Sequence, residues 1–321
     1  MPETGIEWAT RTYGVVSGCT PVSAGCQRCW GAAMLRRMKR DPHTVVIHPD
    51  KLNEPFTWRG RQRVFVAPMG DLFHKDMPDE FIDKVFAVMA LTPQHIYLVL
   101  TKRPERMRAY LAPGQYRDVA VAAHMNPYPG PVLTPWPLPN VWPGVSVENR
   151  AMAAVRLPEL LRIPAALHFA SYEPALEAVD FSPWLRPLPE RDPDTCLRCD
   201  GSGSLLTCID DICVACGECM HGDGETTCPE CGGAGEISIA GRPGLRWLIA
   251  GGESGAGARP CDPAWIAAAV AQCREAGVPA FTKQFGTAWA RVNLGRGTRA
   301  GDPSEWPPGD WSREVPQEAR V

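Results

Sequence analysis

Short apolar runs recur along the chain, and nearly every one is followed by a stretch with helical spacing. Val64-Phe-Val-Ala-Pro-Met69 is strand-like, whereas Asp79 to Leu91 places Phe81, Ile82, Val85, Phe86 and Met89 at helical intervals. The alternation continues with His95–Leu100 and a helix over Pro104–Leu111, then Val141–Ser146 and a helix from about Arg150 to Leu161. Ala166–Ala170 and Arg246–Ala250 follow, with a helix from Pro263 to Ala276, and Ala280–Lys283 comes last. With a short first strand near Tyr13 to Ser17, this makes about seven βα-type units. Repeated β then α requires a parallel sheet with covered faces. So many units predict an α/β fold of the full or partial TIM-like barrel type.

Two segments break the rhythm. Residues 112–140 are rich in proline and glycine and read as a lid or variable loop. Residues 183–244 begin with a proline-rich linker and then carry eight cysteines, as an inserted Cys-rich module. The expected divisions are therefore 1–182 as the first part of the barrel, 183–244 as the insert, 245–290 as the last part, and 291–321 as a tail. From Gly286 onward, glycine, proline, tryptophan and charge suggest loose order.

Within the insert, Cys196-x2-Cys199 and Cys228-x2-Cys231 are each followed by glycines in a C-x-x-C-x-G-x-G repeat. It resembles the zinc-binding unit of DnaJ-type chaperones, and its four thiolates satisfy tetrahedral Zn²⁺. Cys208, Cys213, Cys216 and Cys219 offer a second set of four for zinc, although their spacing also echoes a bacterial ferredoxin run. With 13 cysteines in all, an odd number, disulfides are the least favoured account. No apolar run approaches bilayer length, and the N-terminus lacks the features of a secretory signal, so no membrane partner and a cytoplasmic location are expected.

The net charge of −3 conceals basic clusters at Arg28–Arg40, Arg59–Arg63 and Lys102–Arg108, which are either solvated helix surface or contacts for phosphate or nucleic acid. The residues just past the strands are more telling. Gly70-Asp71, Lys102, Ser146 with Glu148, Glu173, Glu253 and Lys283 all stand at carboxyl ends of strands, where parallel α/β folds build their ligand sites. Each alone reads as a helix cap or surface charge. Together they imply a polar mouth.

Cys19-x6-Cys26-x2-Cys29 comes after the first strand and opens onto the same face. Three thiols with a distant fourth ligand (His43, His74 or Cys261) would hold zinc, and inert buried thiols are a further reading. Three thiolates alone would hold a [4Fe-4S] cluster with one iron open to a ligand. The arrangement is similar to that of radical S-adenosylmethionine enzymes, whose usual spacing is C-x3-C-x2-C.

A closer resemblance spans nearly the whole chain outside the insert. Thr4-Gly-Ile-Glu-Trp8, Gly18-Cys19 with Gly25-Cys26-Gln-Arg-Cys29, Gly70-Asp-Leu-Phe-His74, Leu100-Thr-Lys-Arg-Pro-Glu-Arg-Met107, Gly144-Val-Ser-Val-Glu-Asn149, Ser171-Tyr-Glu-Pro174, Gly251-Gly-Glu-Ser-Gly255, Ala258-Arg-Pro260 and Lys283-Gln284 resemble the phage protein family named after gene products 37 and 68. That resemblance implies a phage or prophage setting, hence the host cytoplasm, and carries no established reaction. On the radical S-adenosylmethionine analogy, Gly70, Asp71, Ser146 and Glu148 would bind the cofactor. Lys102, Glu173, Glu253 and Lys283 would position an anionic substrate or move a proton, and an electron donor would be required. The expected activity is modification or repair of a nucleobase in DNA or RNA, or chemistry on another anionic substrate. The alternative keeps the barrel and the zinc but only binds nucleic acid or a host partner.

Overall fold

The computed structural model describes residues 4–112, 137–185, 204–205, 226–227 and 244–319. By contacts the chain divides into two units, Met1–Leu185 with Gly244–Val321, and Arg186–Pro243.

The first unit is built on a seven-stranded parallel sheet: β1 Arg11–Tyr13, β2 Arg63–Val66, β3 Ile96–Thr101, β4 Val141–Ser146, β5 His168–Tyr172, β6 Leu245–Gly251 and β7 Ala280–Gln284. Each strand pairs with the next in chain order, as in Thr12↔Phe65, Val64↔Tyr97 and Leu98↔Trp142, then Val145↔Ala170, Leu248↔Ala170 and Ile249↔Phe281. Sequential order with parallel pairing is barrel topology. The sheet curls into a half-barrel, with β1 and β7 at its two edges.

Helices α1 Trp30–Arg37, α2 Asp79–Leu91, α3 Pro104–Leu111, α4 Arg150–Leu161, α5 Pro263–Glu275 and α6 Gly286–Leu294 lie between or after the strands. Their starts have local causes. Asn149 accepts the amide of Met152 at 2.9 Å to cap α4, and Asp262 caps α5 through Ala264 with Pro263 next in line.

Strand alternation sorts the core into two layers. Val64, Val66, Tyr97, Val99, Val145, Ala170, Tyr172, Leu248 and Ala250 join the large cluster that includes the helices. Phe65, Leu98, Trp142, Phe169, Trp247, Ile249 and Phe281 face inward with Trp8. Gly144 is required there, because a Cβ would lie 2.4 Å from the Phe169 ring.

The expected first strand divides in two. Val16–Gly18 leaves β1 and forms a small separate sheet, antiparallel to Val46–Ile47 and parallel to Met69–Gly70. The tail also departs from expectation. It supplies α6, and beyond it Thr282 donates to Ser312 O at 2.7 Å and Glu314 to Ala280 O at 2.8 Å, covering the free edge of β7. Trp306 and Trp311 stand edge-on to Phe285, and Arg313 lies 4.8 Å over the Phe281 ring. The tryptophans read as loop composition are packing groups.

In the second unit, Ser204–Leu205 and Thr226–Thr227 pair antiparallel. Cys196, Cys199, Cys208, Cys213, Cys216, Cys219, Cys228 and Cys231 lie outside the described residues, as do residues 113–136 of the proline-rich segment. No helix among the described residues is long and apolar enough to cross a membrane.

Candidate functional site

Strand β1 carries the chain to the carboxyl edge of the sheet, and the small sheet then aims it at the mouth. Gly18 has φ +82°, and a Cβ would fall 1.9 Å from Thr44 O, so the turn into Cys19 admits glycine alone. Pairing of Ser17 with Met69 and of Gly18 with Gly70 sets Cys19 beside the Met69-Gly70-Asp71 turn.

Cys19, Cys26 and Cys29 line one cavity of about 160 Å³, together with Gly70, Asp71, Thr101, Lys102, Arg103, Ser146 and His43. A second cavity, about 470 Å³, adjoins it over the inner face of the sheet. Phe65, Leu100, Ser171, Glu173, Glu253 and Lys283 line it. Cys29, Phe65, Met69, Leu100, Lys102 and Ser146 border both. Of the eight strand-end residues singled out in the sequence, Glu148 alone lines neither.

The cysteine loop is tied down by three charge pairs whose carboxylates are buried. Arg103 donates to Asp71 Oδ2 at 2.7 Å, to Thr20 O at 2.9 Å and to Cys19 Sγ at 3.3 Å. Asp71 also accepts from Thr101 Oγ1 and the Phe73 amide, so its carboxylate is fully engaged. Glu148, wholly buried, accepts from Arg156 at 2.9 Å and from the Gly25 amide at 3.2 Å. Glu253 is clamped by the guanidinium of Arg259, whose Nη1 reaches on to Ala24 O at 3.0 Å. Opposite charges with full hydrogen bonding make such burial tolerable.

The remaining pair differs. Glu173 Oε1 meets Lys283 Nζ at 2.8 Å, with Ser171 Oγ donating to the other carboxylate oxygen at 3.2 Å, and all three residues line the larger cavity. Lys102 borders both cavities and has no carboxylate partner among the described residues. Two further polar atoms of residues lining the larger cavity, Trp8 Nε1 and Gln284 Oε1, are buried without a hydrogen-bond partner.

Burial, with the Asp71 carboxylate next in weight, pushes the Cys19 thiol above its ordinary value, so the bare loop does not favour a thiolate there. A bound metal reverses that preference. Among the described residues no group of three or more His, Cys, Asp or Glu side chains converges to hold a metal ion. A single tetrahedral zinc needs its thiolates about 3.8 Å apart, from Zn–S bonds of about 2.3 Å. A cubane cluster spreads its three thiolates wider. Three thiols lining one cavity are the donor set that a [4Fe-4S] cluster takes, and with a fourth ligand the one that zinc takes.

The proposed fourth ligands for zinc separate clearly. His74 is fully buried with both ring nitrogens engaged, by Thr20 at 2.8 Å and the Asp76 amide at 3.2 Å, and Cys261 is buried outside the cysteine cavity. His43 lines that cavity, with Nδ1 3.2 Å from Cys19 O. The anchoring arginines escaped sequence reasoning: Arg156 lies eight residues beyond Glu148 on α4, and Arg259 sits in the Ala258-Arg-Pro260 motif without an assigned role.

The sequence profile of a family described as "Protein of unknown function (DUF5131)" matches residues 3–308, and the chain belongs to that family. No curated protein and no solved structure matches it.

Proposed function

We propose that this DUF5131 member, of phage or prophage origin, is a radical S-adenosylmethionine-type iron-sulfur enzyme acting on a nucleobase or another anionic substrate. The carrying observation is the pair of adjoining cavities: one is lined by the three cysteines, and the other lies over the strand ends and shares Cys29, Met69, Lys102 and Ser146 with it. When bound, a [4Fe-4S] cluster with S-adenosylmethionine supplies a radical able to remove hydrogen from unactivated carbon.

The chain's own residues would do the rest. Cys19, Cys26 and Cys29 would hold the cluster, and the Ser146 hydroxyl between the cavities would bond the cofactor. Asp71 and Glu148, expected to bind cofactor directly, would act by fixing the loop that carries the thiols. Lys102 would hold a substrate anion, and Glu173 with Lys283 would hold or move a proton at the cavity wall. Phe65, Leu100 and Trp8 would keep water from the reacting atoms.

His43 supports a second reading, a Cys₃His zinc site in a barrel that binds nucleic acid or a host partner without radical chemistry. Anaerobic purification with iron, sulfide and zinc analysis separates the two. We expect about four irons per chain and visible cluster absorption, both lost in the Cys19→Ala/Cys26→Ala/Cys29→Ala variant while insert zinc is retained. A wild-type protein that takes up no iron on reconstitution, and loses one zinc in that variant, would establish the second reading instead.

A further inference from the structure

From Trp8 to Arg40 the chain holds six arginines and lysines and not one carboxylate. Five of these, Arg28, Arg36, Arg37, Lys39 and Arg40, are exposed on or beside α1, and none has a carboxylate partner among the described residues. Elsewhere exposed cations are commonly neutralised, as in Lys84–Glu80, Arg108–Glu159, Arg150–Glu177 and Arg274–Asp310. Asp41, just beyond the run, is occupied by the Thr44 hydroxyl and the His43 amide. Helix α1 buries Leu35 and sets Gly31 against Met69, and turns the cations outward. At its start stands Trp30, 48% exposed and lining the larger cavity beside Arg28.

We infer that the α1 surface is a track for a single-stranded polynucleotide, with phosphates on Arg36, Arg37, Lys39 and Arg40 and a base stacked on Trp30 at the cavity mouth. An unpaired cationic cluster at the end of a helix that begins with an exposed indole is what such a strand needs: charge for its backbone and a π-face for a base that has lost its neighbour. Duplex bases stack on one another and offer no face to Trp30. A base next along the strand would enter the larger cavity, where Lys102, without a carboxylate partner among the described residues, and the Glu173–Lys283 pair offer polar contacts. Only this last step rests on the nucleobase reading above, because binding to the track needs no cluster.

The test is fluorescence anisotropy of the purified chain with labelled oligothymidylate and oligouridylate of about twenty residues, as salt rises from about 50 to about 200 mM. The Arg36→Ala/Arg37→Ala/Lys39→Ala/Arg40→Ala variant should bind at least tenfold more weakly and flatten the logarithmic salt slope by about 2 to 3. Trp30→Ala should weaken binding about 5- to 150-fold and leave the slope unchanged. All five side chains are exposed, and circular dichroism should show both variants folded. Duplex bound as tightly as single strand, or variants that bind like wild type, would overturn the inference whatever the metal analysis shows. So would reduced flavodoxin, an acidic protein, binding to the wild type but not the quadruple variant while both bind the strand equally.

Discussion

Glu148 and Glu173 each stand just past a strand of the same sheet, and each meets a cation within 3 Å, at 2.9 Å from Arg156 and 2.8 Å from Lys283. Their surroundings divide them. Glu148 is sealed between α4 and the cysteine loop, whereas Glu173 and Lys283 keep 14% and 19% of their side chains exposed, in the wall of the larger cavity. The same motif of carboxylate after strand thus serves architecture at one position and presents ionisable groups to a ligand at the other. What decides is where the cation comes from: the helix layer for Glu148, and for Glu173 strand β7, two strands away across β6.

The comparison predicts its largest effect at Glu148. Glu148→Gln leaves the Arg156 charge buried without its counterion, and breaking a buried pair in this way costs about 3–5 kcal/mol. Urea unfolding should show that loss. Survival of full stability would mean that Glu148 is not the anchor its burial indicates.

A smaller loss is expected at Glu253. Arg259 is 23% exposed and keeps its bond to Ala24 O, so Glu253→Gln should cost about 1.5–3 kcal/mol, the range for hydrogen bonds to a charged group. Hydrogen exchange should quicken over residues 24–27 more than in the sheet. Uniform quickening would argue that Glu253 supports the whole fold and not the loop.

Much of this architecture could be read from local chemistry. Pro104 at the start of α3, the Asn149 cap of α4 and the Asp262-Pro263 start of α5 mark element ends without tertiary help, and those helices begin where the pattern placed them. The two misplaced strands fail for one shared reason. The run near Tyr13–Ser17 and the run Val64–Met69 both break, the second at Ala67 (φ 51°) before Pro68, which lacks an amide hydrogen. Their severed ends, Val16–Gly18 and Met69–Gly70, then pair with each other. That pairing spans some fifty positions and leaves no periodic trace, yet it brings Cys19 to Asp71. At the site, the convergence of strand-end residues followed from parallel topology. The division between anchors and cavity groups did not, because it depends on arginines contributed by α4 and by the loop after β6.

The smallest stability change, and the most informative, belongs to Glu173. Its pair with Lys283 faces a cavity, so Glu173→Gln should shift unfolding by less than about 1 kcal/mol, as for ion pairs in contact with solvent. Removing an ionisable group from the cavity wall should nevertheless lower turnover by about 10²-fold or more if that group moves a proton. Glu173→Gln combined with Lys283→Met separates the two roles further. If the pair only braces β5 against β7, the double variant recovers the activity that the single variant lost, since neither charge is then left alone. If the carboxylate itself handles the proton, removing Lys283 restores nothing, and the split between Glu148 and Glu173 is functional as well as structural.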